Sequence, residues 1–162
     1  MKEQHEKETE DGITGLYQSL LQCWNKKDAS GFAKLFTENG STIGFDGSQM
    51  NGPIQIEKEL TQIFLDHKVS SYVHIIREVR RLADSVYILR GVAGMVPPSQ
   101  TEVNPKVNAI QTLIAKKEDD QFRIALFQNT PAAFHGRPEL GLQLTRELQE
   151  VFDHQFSTRQ KN

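Results

Sequence analysis

Apolar residues near the start of the chain recur with helical period. Ile13, Leu16, Tyr17, Leu20, Leu21 and Trp24 fall at i, i+3, i+4, i+7, i+8 and i+11. At about 100° per residue they fill a stripe roughly 140° wide, which suits a helix with one face in a core. Asp28 is placed to cap a second, short helix by accepting a bond from a free backbone N–H. That helix turns Phe32, Leu35 and Phe36 inward. Asn39-Gly40 breaks it. Residues 41–45 then predict a short strand, and Asp46-Gly47 a tight turn. Pro53 suits the first position of a third helix, where its missing N–H costs nothing. Ile56, Leu60, Ile63, Phe64 and His67 form that helix's inward stripe.

From Ser70 the period changes to two. Residues 71–82 and 85–95 predict long strands joined at Ala83-Asp84. The stretch from Val96 to Pro105 holds three prolines and cannot continue a ladder. Residues 107–117 and 121–129 form a second hairpin, turning at Glu118-Asp119-Asp120. Pro138 opens a last helix with Leu140, Leu144, Leu148, Val151 and Phe152 on one stripe. The division is a disordered tail over 1–9, one domain over 10–130, a helical extension over 131–156 and a tail over 157–162. Helices, then a meander of strands, then a helix argue for α+β. Val73, Ile75 and Val79 on one face and Ile76 on the other make the first long strand apolar on both sides. The second alternates Val86, Ile88 and Val92 with Tyr87, Leu89 and Ala93. Such a sheet needs cover on both faces, so a homodimer through its outer face is expected.

Composition narrows the function classes. Lys plus Arg number 19 and Asp plus Glu 21, a net charge of -2. That provides no electrostatic footprint for nucleic acid or an anionic membrane. No apolar run approaches the ~20 residues that span a bilayer. The first residues are charged and lack an apolar signal core, so the expected location is cytoplasmic. The single cysteine, Cys23, excludes an intrachain disulfide and a cysteine-rich zinc site. No histidine pair has metal-ligand spacing, and no phosphate loop or Gly-x-Ser-x-Gly turn is present. No metal or cofactor is expected.

Four segments together carry a family resemblance. They are Trp24-Asn25-Lys26-Lys27-Asp28, the strand end Gly44-Phe45-Asp46-Gly47, the helix start Asn51-Gly52-Pro53, and the ending Phe127-Gln128-Asn129-Thr130. In order and spacing the chain resembles the nuclear transport factor 2-like (SnoaL-like, cystatin-like) superfamily over residues 10–130. Its nearest likeness is to the SgcJ/EcaC-type branch. The resemblance implies a conical, curved antiparallel or mixed sheet wrapped around the N-terminal helices, with a pocket in the cone. The last helix lies beyond the usual family end, and is expected across the cone mouth or swapped onto a partner. Redox chemistry has no support, since there is no dinucleotide turn, Cys pair or haem motif.

The superfamily's ketosteroid isomerases use an Asp base with Tyr and protonated Asp donors. Anchored on Asp28, the base position falls on Gly44 and the first-helix Tyr position on Leu20, so that apparatus is absent. The remaining catalytic candidates are His74, with a pKa near neutral, and Asp46, two residues past the base position. Ligand-binding candidates are Trp24 and Phe45 as aromatic walls, Arg90 as an anion anchor, and Gln111, Gln128 and Asn129 as polar groups in apolar strands. Gln128 shares an alternating face with Phe122, Ile124 and Leu126, which points it into the cone. For most of these a structural role is the simpler reading: core packing for Trp24, a surface position for His74, a cross-strand ion pair with Glu78 for Arg90. The expected function is binding of a small, largely apolar molecule by a homodimer. An acid/base enzyme of the same fold (cyclase, isomerase or dehydratase) and a dimerisation module without ligand are the alternatives.

Overall fold

The computed structural model describes residues 1–160. Four α-helices and a six-stranded sheet follow the order α1 (Lys2–Asn25), α2 (Ala29–Lys34), β1 (Phe36–Ile43), β2 (Gln49–Asn51), α3 (Gly52–Asp66), β3 (Ser71–Ala83), β4 (Val86–Val96), β5 (Ala109–Glu118), β6 (Gln121–Pro131) and α4 (Pro138–Gln160). The sheet order is β2-β1-β6-β5-β4-β3. Every neighbouring pair is antiparallel except β1 with β6, so the sheet is mixed, and β2 and β3 are its open edges.

The inner face of the sheet wraps α1, α2 and α3. Ile13, Tyr17, Leu20 and Leu21 of α1 are buried against Leu89, Leu113, Ile124 and Phe127. The predicted stripe of α1 is therefore the one that packs. Asp28 caps α2 as expected, its Oδ1 accepting the Gly31 N–H at 2.9 Å. Gly47 sits at φ +91 in the Asp46-Gly47 turn, a conformation that favours glycine.

Several boundaries differ from the sequence reading. Residues 2–9 are helical rather than a disordered tail: α1 begins at Lys2, and Glu6 accepts a 3.0 Å bond from the Tyr87 hydroxyl. The last helix runs on to Gln160 instead of stopping at 156, while residues 161 and 162 of the expected tail lie outside the described residues. β1 starts at Phe36 and passes through Asn39-Gly40, with its register to β6 shifting between Phe36 and Ser41. His67 lies past the end of α3 and is exposed.

The largest difference concerns α4. It does not close the cone mouth. It lies on the outer face over β3 and β4, where Leu144 and Leu148 pack with Val73, Val92, Val96 and Val103. Gln149 ties it to the preceding loop, accepting from the Val103 N–H at 2.8 Å and donating to the Thr101 carbonyl at 2.9 Å. Arg77 and Glu147 add an ion pair at 3.0 Å. The two-sided apolar pattern of β3 and β4 is thus covered within one chain. The outer face of β5 and β6 has no such cover, and there Ile110 is 38% exposed.

Candidate functional site

A cavity of about 320 Å³ opens where α1 and α3 meet the inner face beside the β1–β2 turn. Each wall follows from the pattern that built its element. Trp24 ends the α1 stripe, Leu60 and Ile63 belong to the α3 stripe, and Phe127 is an inward residue of β6. Trp24 lies edge-on to Phe64 at 5.2 Å and tilted against Tyr72 at 5.5 Å. Its indole N–H is already committed to the Ser70 carbonyl at 2.9 Å, so the ring offers a ligand only its apolar surface. Phe45 stands at the mouth, 38% exposed.

Polar groups in the wall are few. Asn129 reaches the cavity from β6, Thr42 from β1 and Tyr72 from β3. Behind Asn129 runs a buried hydrogen-bond chain. The Tyr17 hydroxyl donates to Gln111 Oε1 at 2.6 Å, Gln111 Nε2 to Asn129 Oδ1 at 2.8 Å, and Asn129 Nδ2 to the Ile43 carbonyl at 3.1 Å. Tyr17 and Gln111 are both wholly buried. Burial, with Tyr72 nearby, pushes the Tyr17 phenol far above its ordinary range, so it stays protonated. Gly91 makes room for it: a Cβ there would stand 2.9 Å from the Tyr17 hydroxyl oxygen. Burial likewise raises the Tyr72 phenol to about 12. Its hydroxyl has no hydrogen-bond partner among the described residues.

Trp24, Phe45, Asp46 and Asn129 therefore meet at one cavity. Gln111 stands one shell back and holds Asn129. Gln128 faces the opposite way from the sequence reading. Ala125 is an extra residue between Leu126, paired with Ile114, and Ile124, paired with Ala115. This β-bulge reverses the alternation of β6, so Phe127 and Asn129 point inward while Leu126 and Gln128 point outward. Arg90 is also on the outer face. Its side chain is 57% exposed and lies 3.7 Å from the Glu78 carboxylate, which meets its charge and leaves it away from the cavity.

Neither acid/base candidate is set up to move a proton in the cavity. Asp46 is exposed at the mouth and locked in its turn, where Oδ1 accepts the Ser48 N–H and Oδ2 the Ser48 hydroxyl, each at 2.9 Å. Those bonds hold the carboxyl below its usual range and make it a weak base. His74 is on the inner face, its ring edge-on to Tyr17 at 5.3 Å. Its open side gives onto a separate depression between α1, β3 and α4 rather than onto the cone cavity. Burial lowers its pKa, so it is neutral at pH 7. At the base of that depression Asn25 pairs with both the N–H and the carbonyl of Tyr72, at 2.7 and 3.1 Å, as a neighbouring strand would. This protects the edge of β3.

Tyr72, Thr42, Phe32 and Met95 are cavity residues that the sequence reading did not select. Tyr72 had a usable signal, since it lies two residues from His74 and so shares its face. Phe32 had one too, as an inward residue of α2. Thr42 and Met95 had none, because their approach depends on how β1 and β4 curve around the helices.

Among the described residues no group of three His, Cys, Asp or Glu side chains converges as a metal site. No described helix is long and apolar enough to cross a membrane. No family model matches the chain, and no curated protein matches it. Solved structures do. A domain of unknown function with a cystatin-like fold from Nostoc punctiforme is 22% identical, with a TM-score of 0.73 over 93% of this chain and 96% of that one. An NTF-2 like protein of unknown function from Shewanella oneidensis is 18% identical, with a TM-score of 0.61 over 74% and 97%. A ketosteroid isomerase-like protein from Erwinia carotovora atroseptica is 13% identical, with a TM-score of 0.59 over 76% and 95%. At these identities the likeness is one of fold, and the fold of this chain is the cystatin-like one.

Proposed function

We propose that this protein binds a small, largely apolar molecule in the cone cavity and works as a homodimer. The observation that carries the reading is the cavity itself. It is walled by aromatic and aliphatic side chains from α1, α2, α3 and the sheet, with a few polar groups at fixed places, which is the usual make-up of a ligand site. Binding is favoured over acid/base catalysis because Asp46 is spent on its turn and His74 opens elsewhere. The dimer half of the proposal rests on the uncovered outer face of β5 and β6, where Ile110, Ile114 and Leu126 lie beyond the reach of α4. Apolar side chains standing on an uncovered sheet face call for cover.

Native mass spectrometry of freshly purified protein, followed by denaturation of the same sample, tests both halves. The expected result is a dimer mass carrying an extra small species that is released on denaturation. A monomer at micromolar concentration would overturn the dimer. An empty cavity that also leaves Trp24 emission unchanged across a panel of small apolar compounds would overturn the binding role.

A further inference from the structure

The cavity's hydrogen-bond polarity is set by groups that no ligand touches, and it restricts what can bind. The Ile43 carbonyl can only accept, so it takes a hydrogen from Asn129 Nδ2 and turns Asn129 Oδ1 toward Gln111. Oδ1 in turn requires Gln111 Nε2, which directs Gln111 Oε1 to the Tyr17 hydroxyl, a group that can donate. The reverse orientation would set Asn129 Oδ1 against the Ile43 oxygen, two acceptors with no hydrogen between them. Asn129 therefore keeps its oxygen engaged behind the wall and has one N–H left over. Tyr72, protonated to about pH 12, contributes a hydroxyl with no described partner. Asp46 is the one charged residue in the cavity wall, and its negative charge at the mouth disfavours an anion.

We infer that the cavity selects a neutral apolar molecule whose oxygen accepts hydrogen bonds, such as a ketone, ester or ether, held by Asn129 and Tyr72. This inference rests on the cavity being a binding site, as proposed above. Asn129 touches the ligand; Gln111 is a positioning residue acting through it. A hydrocarbon of the same shape fills the same walls but leaves the Asn129 N–H without a partner.

The test compares 2-decalone with decalin, two neutral ten-carbon bicyclic probes differing by one carbonyl. Trp24 lines the cavity and is the sole tryptophan, so its emission reports binding. The expected result is 2-decalone bound about tenfold more tightly than decalin, the yield of one net hydrogen bond. Asn129→Leu should lower the ratio, leaving the Tyr72 hydroxyl as the remaining donor. Gln111→Met keeps the volume but frees the Asn129 amide. It should lower the ratio while decalin affinity holds, a pattern that a purely structural role would not produce. Equal binding of the two probes to the wild type, or a ratio unchanged in both variants, would overturn the inference and leave the cavity reading intact. No response to either probe up to its solubility would sink the cavity reading, and this inference with it.

Discussion

Removing one hydroxyl deep in the core should cost more than its size suggests. In Tyr17→Phe the 2.6 Å bond to Gln111 is lost, and Gln111 Oε1 stays in a wholly buried place without a donor. An orphaned buried acceptor costs about 1–3 kcal/mol, so a loss of about 2 kcal/mol is expected. For a chain of this length that lowers the melting temperature by about 4–8 °C. Gln111→Leu should cost more, about 3–4 kcal/mol, because it orphans the Tyr17 hydroxyl and Asn129 Oδ1 together. Combining the two removes both ends of the first bond, so the pair should cost about 1–2 kcal/mol less than the sum of its parts. Urea unfolding followed by Trp24 emission and by circular dichroism measures all four corners of the cycle. A Tyr17→Phe variant melting within about 1 °C of the wild type, or a strictly additive cycle, would refute the view that buried Gln111 Oε1 depends on the Tyr17 hydroxyl.

Three other perturbations probe separate parts of the molecule. Because burial lowers the pKa of His74 below its ordinary value of 6.5, the unfolded chain takes up that proton first as pH falls. Stability should be full above about pH 6.5 and decline below it, levelling once folded His74 is protonated; a His74→Phe variant whose melting temperature keeps the same slope between pH 7 and 5 would refute this. Leu148 is wholly buried between α4 and the outer face, so Leu148→Ala should cost about 2–5 kcal/mol by thermal melting, and a change under about 1 kcal/mol would mean that α4 does not hold that position in solution. Leu126→Asp puts a charge on the uncovered outer face; sedimentation should show monomer without a large fall in melting temperature, and an intact dimer would place the interface elsewhere.

Most of the fold was legible because its signals are local. The 3.6 period of Ile13 to Trp24 and the period of two from Ser71 onward each specify an element without reference to the rest of the chain. The Asp28 cap and the Pro53 and Pro138 helix starts are equally local, since each satisfies or omits a hydrogen bond within one turn. Half of the candidate site followed. Trp24 continues a helical stripe, and Asn129 is a polar residue in an apolar strand, both readable from neighbours in sequence.

Tertiary structure decided the rest, for reasons no local pattern contains. Whether Gln128 or Asn129 faces the cone depends on one unpaired residue, Ala125, and a bulge is visible only against its partner strand. Arg90 alternates correctly, but which face of β4 is concave depends on the curvature of the whole sheet. The docking of α4 was open because its stripe fits any apolar surface, and the folded chain sets it on the outer sides of β3 and β4. Sequence alone determined the elements, their order and the cone family they resemble, because those follow from hydrogen bonds and periodicities a few residues long. The cavity, the direction of its hydrogen bonds and the face left uncovered came from contacts between residues as far apart as Tyr17 and Gln111, which only the folded chain brings together.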